Sequence, residues 1–119
     1  MSEHLFLSVI AWSNKKLWKF CHDLTAEFGH LAALKQLMEF RCDMQKALAK
    51  YARGKSGMDG IQTRAIWMME MISKWCGHYY KGWARDSILK TMPDLAKNPR
   101  KLKGFVNHAW EVYVRTNSF

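Results

Sequence analysis

Two short basic segments carry the most suggestive chemistry in the chain. NKKLWK, residues 14–19, sets Lys15, Lys16 and Lys19 just behind Ser13, and NPRKLK, residues 98–103, sets Arg100, Lys101 and Lys103 just behind Asn98 and Pro99. Serine and asparagine cap helix starts, and proline suits the first helical position because it has no N–H to leave unpaired. Both segments therefore read as first turns, where backbone N–H groups already make the surroundings positive. Cations there cost roughly a few tenths of a kcal/mol each, unless an anion sits at the helix start. The chemistry they suit is phosphate binding, with N–H groups and side chains converging on one group. The plain competitor is a set of solvated lysines on exposed turns.

A second set lies between Trp67 and Arg85. Trp67, Met71, Lys74 and His78 recur at steps of four, three and four, and Tyr80, Lys81, Trp83 and Arg85 follow. Rings interleaved with cations suit single-stranded nucleic acid, where bases stack on aromatic faces while lysine and arginine follow the backbone. Tryptophan, tyrosine, methionine and arginine are also enriched at protein interfaces. Trp67 and Met71 are expected to pack inward, because a helix apolar nearly all round is surrounded by its neighbours.

Other chemistries are weaker. The GKS at residues 54–56 resembles the end of a phosphate loop, but Ala49 stands where the first glycine belongs and a helical pattern precedes it in place of a strand. Asp23 with Glu27 and Glu39 with Asp43 are carboxylate pairs one turn apart, yet each has lysine or arginine within reach on the same helix, as a solvated face does. Cys21 next to His22, and Cys76 two residues from His78, point different ways on a helix and make poor metal ligands. No nucleophile, base and orienter combine. The sequence reads as a non-enzyme with no metal and no cofactor.

Lysine and arginine exceed aspartate and glutamate by nine over 119 residues, so an anionic partner is expected. Three cysteines, with no CxxC pair, fit a reducing compartment better than a disulfide framework. The apolar run in MSEHLFLSVIAW is too short to span a bilayer and has Glu3 where a signal peptide carries a positive residue. A cytoplasmic protein with no membrane association is the expectation.

The elements that position these residues follow from helical spacing. Ser2 caps a first helix with Leu5, Phe6, Val9 and Ile10 inward. After a break near Ser13, Leu17, Phe20, Cys21, Leu24 and Phe28 continue toward Gly29, which reads as a stop. Leu31, Leu34, Leu37, Met38, Met44, Leu48 and Tyr51 predict the longest helix, ending at the linker GKSGMDG, residues 54–60. Asp59 and Gln62 form a capping box for a central helix with Ile61, Ala65, Met68, Ile72, Trp75 and Tyr79 inward. It is expected to end between Gly77 and Gly82, with a separate short piece from Trp83 to Lys90 closed by Met92 and Pro93. A last helix from Pro99 buries Leu102, Phe105, Val106, Ala109 and Tyr113.

The expected architecture is an all-α, compact single-domain bundle of five to six helices over residues 1–119. The leading functional expectation is a nucleic-acid-binding protein, for DNA or RNA, that contacts the phosphate backbone with little sequence specificity, together with protein partners in a larger assembly. Lys15, Lys16, Lys19, Arg100, Lys101 and Lys103 would hold phosphates, and Lys74, Tyr80, Lys81, Trp83 and Arg85 would add contacts. The alternative is an interaction module, an inhibitor or adaptor from a mobile element, docking its basic and aromatic face on an acidic protein surface.

Overall fold

The computed structural model describes residues 1–117, apart from the His30 side chain. The protein is an all-α bundle of five helices: α1 (Glu3–Ile10), α2 (Asn14–Phe28), α3 (His30–Tyr51), α4 (Gly60–Thr91) and α5 (Pro99–Thr116), with a short 3-10 helix, Pro93–Lys97, before α5. The chain divides into two compact units, Met1–Trp75 and Cys76–Phe119, and the division falls inside α4.

In the first unit, α1 and α2 both pack on α3. Each helix start is built locally. The Ser2 hydroxyl accepts from the Leu5 N–H and the Ser13 hydroxyl from the Lys16 N–H, both at 3.1 Å, so the expected break between α1 and α2 is a serine cap. Gly29 separates α2 from α3 with φ of 77°, a left-handed conformation that glycine adopts without strain. Phe6, Val9, Leu17, Cys21, Leu34, Leu37, Met44, Met68 and Ile72 make a closely packed interior. Leu5, Phe28 and Leu31, expected inward, are exposed instead, since each sits on the margin of its apolar stripe or at the α2–α3 corner.

The α4 start shows the reciprocal pair predicted from sequence. The Gln62 N–H donates to Asp59 Oδ1 at 2.8 Å, and the Asp59 N–H donates to Gln62 Oε1 at 3.2 Å. The Tyr51 hydroxyl also donates to Asp59 Oδ2, at 2.8 Å, tying the end of α3 to this cap. One turn further on, Arg64 donates to the Trp12 carbonyl at 2.8 Å and to Asn14 Oδ1 at 2.7 Å, and its guanidinium lies 4.6 Å from the Trp67 ring centre. A half-buried arginine thus holds the α1–α2 junction against α4.

Two expectations about helix length are corrected. The longest helix is α4, at 32 residues, and not α3, at 22; it runs unbroken through Gly77 and Gly82, so residues 83–90 are no separate piece. The positive-φ glycines are Gly29, Gly54 and Gly57; Gly77 and Gly82 are not among them, and glycine ends a helix by turning left-handed. In the second unit, Gly77 faces the Trp110 ring: a Cβ added there would lie 3.4 Å from it. That contact lets α5 lie back along the last turns of α4. Leu102 and Val106 are buried as expected, whereas Phe105 is exposed on the flank of α5.

Candidate nucleic-acid interface

The candidate surface in the second unit is a groove of about 480 Å³ formed by one face of α4 and one face of α5. From α4 come His78, Lys81, Gly82 and Arg85, at steps of three, one and three, which is a single helical face. From α5 come Pro99, Leu102, Lys103, Val106 and Asn107, again one face. Leu102 and Val106 are buried and supply an apolar floor, while Lys81, Arg85 and Lys103 stand on both walls. Among the described residues no carboxylate lines this groove. Gly82 leaves part of the α4 wall bare, because nothing lies within 4 Å of where its Cβ would be.

The electrostatics of the groove follow from its construction. Pro99 is the first residue of α5, so the positive end of that helix opens at one end of the groove, and no acidic residue stands in the first turn to offset it. The Asn98 side chain accepts from the Lys101 N–H at 3.3 Å, which satisfies one donor and leaves the cations uncompensated. From Cys76 onward the chain carries eight Lys and Arg against three Asp and Glu. Among the described residues the only salt bridge is Lys19 with Asp23, in the other unit, so Lys81, Arg85 and Lys103 are not neutralised by a carboxylate.

The residues singled out from sequence are sorted by this geometry. Lys81, Arg85 and Lys103 come together on the groove. Arg100 is exposed on the first turn of α5, and Lys101 borders a different hollow, beside Asp94, Asn98 and Thr91. Trp83 is half-buried and packs against Tyr80, with ring centres 5.6 Å apart. Tyr80 is a correction: it is 9% exposed, stacks on Tyr113 at 4.6 Å and meets Trp110 at 5.4 Å, so its ring is core of the second unit and no surface for a base. The same burial pushes its hydroxyl above the ordinary tyrosine range.

In the first unit, Lys15, Lys16 and Lys19 are all exposed at the start of α2. Two of them already have intramolecular partners. Lys19 pairs with Asp23 at 2.8 Å, and the Lys16 ammonium lies 5.2 Å from the centre of the Trp12 ring. Lys74 is exposed on the part of α4 that belongs to this unit and does not line the groove. Trp67 and Met71 are half-buried, Trp67 beneath Arg64.

Other reactive groups are held in the interior. Cys21 and Cys76 are buried and Cys42 half-buried. Burial pushes the Cys21 thiol up to about 11, which keeps it protonated and a poor nucleophile at neutral pH. Sequence reasoning missed Pro99, Leu102, Val106 and Asn107 as groove residues. Their shared face along α5 is the available signal, and Leu102 and Val106 on that face also belong to the buried stripe.

Fold and groove define a small, strongly basic, all-α protein with a cationic cleft between two helices. Comparison with protein-family models, curated proteins and solved structures gave no match. Among the described residues no helix is long and apolar enough to cross a membrane.

Proposed function

We propose that this chain is a nucleic-acid-binding protein that holds the sugar-phosphate backbone with little sequence specificity, using the α4–α5 groove as its main contact. The observation that carries the reading is the convergence of Lys81, Arg85 and Lys103 from two helices on one cleft without a lining carboxylate. Phosphates are the anions such a surface suits, since lysine acts as a point charge and arginine offers a planar fork of donors. The exposed Arg100 at the adjoining helix start extends the same field. Asn107 is the one amide among the groove's lining residues, and its cations suit phosphate oxygens, which carry no sequence information directly.

The test is a titration of labelled single- and double-stranded DNA and RNA at low and physiological salt. Backbone binding predicts affinity that falls steeply as salt rises, because neutralised phosphates release their counterions. Arg100→Glu combined with Lys103→Glu weakens every bound form about equally. Absence of salt-sensitive binding to all four forms removes the reading and leaves an acidic protein surface as the partner to pursue.

A further inference from the structure

We infer that the α4–α5 groove selects single-stranded over double-stranded nucleic acid; this rests on the backbone-binding reading above and narrows its ligand. The cations stand on the walls of a concave cleft and not on a convex face. His78, Lys81 and Arg85 border one side and Lys103 and Asn107 the other, with Leu102 and Val106 at the bottom. The cleft holds only about 480 Å³, room for part of a strand and not for the body of a duplex. A duplex is a stiff rod with a persistence length of about 150 base pairs, so it does not narrow itself to enter, and its phosphates reach only the rim. A single strand is thin and flexible enough to lie along the floor, where both walls address its phosphates at once.

Three further features suit a strand. Along α5 the lining runs from Pro99 to Asn107, eight steps of about 1.5 Å, so the cleft covers a short stretch of backbone. Its floor is apolar, which favours contact with the faces of sugars and unpaired bases over contact with solvated base pairs. Gly82 leaves helix backbone uncovered on the wall between Lys81 and Arg85, with no protein atom occupying the space a side chain would take. Among the described residues the imidazole of His78 is the one aromatic ring that lines the cleft, and stacking on a ring accepts every base, so base preference is expected to be weak.

The missing side chain at Gly82 provides a clean test. Gly82→Leu places a side chain on the cleft wall, where nothing lies within 4 Å of the Cβ position, and replaces a poor helix former with a good one. Fluorescence anisotropy on the full chain would compare labelled strands of about 12 nucleotides, within the usual range of single-strand site sizes, with blunt duplexes of the same sequence. With roughly three phosphates engaged, single-strand affinity should fall roughly 20-fold between about 50 and 200 mM salt. The strand is expected to bind at least tenfold tighter than the duplex, and Gly82→Leu to lose at least tenfold in strand affinity with helical circular dichroism unchanged. Should that variant misfold, the triple change Lys81→Gln, Arg85→Gln, Lys103→Gln reads the same cleft through loss of the salt dependence. Equal or tighter binding of the duplex, or strand affinity unmoved by the cleft variants, overturns the inference while leaving backbone binding in place. No binding to any form removes both.

Discussion

Replacing Arg64 with alanine removes hydrogen bonds at 2.7 and 2.8 Å and a guanidinium stacked over Trp67. The cost to stability is expected to be about 1–3 kcal/mol, read by urea or thermal denaturation. Arg64→Lys keeps the charge but not the fork that serves two acceptors, so it should recover less than half of the loss; full recovery would mean that charge alone matters. Nothing in the sequence marked Arg64, because its partners Trp12 and Asn14 lie some fifty positions away. Asp59 was legible for the opposite reason, since its cap partner Gln62 is three residues on. The Gln62 N–H, and then the Tyr51 hydroxyl, hold the Asp59 carboxyl below its ordinary value of 3.8. A carboxyl depressed in the folded state stabilises the fold above its unfolded pKa, and that contribution is lost as pH falls through the folded value. Stability should therefore decline below about pH 4, and Asp59→Asn, which keeps a capping oxygen, should decline less steeply over that window.

At the scale of elements, two glycines in one helix make opposite predictions. Gly82→Ala adds a methyl group into open space and removes the conformational cost of glycine, so it should stabilise the protein by about 0.5–1 kcal/mol. Gly77→Leu drives a side chain toward the Trp110 ring, which already lies 3.4 Å from the Cβ position, and overpacking of that kind costs about 1–3 kcal/mol. Thermal midpoints moving the same way in both variants would show that Trp110 yields freely. These glycines also mark where helix boundaries stopped being readable. Ser2, Ser13, Asp59 and Asn98 announce helix starts through side-chain bonds to nearby N–H groups, a local chemistry that a sequence displays. A glycine shows no such sign: Gly29 turns left-handed with open space beside it, whereas Gly77 stays helical against the Trp110 ring. The row Cys76, Tyr80 and Ala84, all buried at steps of four, carries the apolar face of α4 past both glycines. For the groove, sequence supplied the cations Lys81, Arg85 and Lys103, whereas the pairing of α4 with α5 that joins them depends on Gly77 and Trp110 meeting in space.

At the scale of the whole molecule, nine excess positive charges with one salt bridge among the described residues imply net self-repulsion in the folded state. Screening length falls from about 30 Å at 0.01 M salt to about 10 Å at 0.1 M, so added salt should relieve that repulsion and raise the thermal midpoint by on the order of a few degrees. The exposed pair Lys19 with Asp23 opposes this only slightly, since surface pairs contribute about 0–1 kcal/mol. Ligand binding should respond to the same salt with the opposite sign, because it depends on attraction between the cations and phosphate. Measured on one preparation, a midpoint that rises while affinity falls separates the two electrostatic effects. A midpoint that falls with salt would mean that attractive pairs outweigh repulsion in the fold, and the excess charge could then no longer be assigned to a partner.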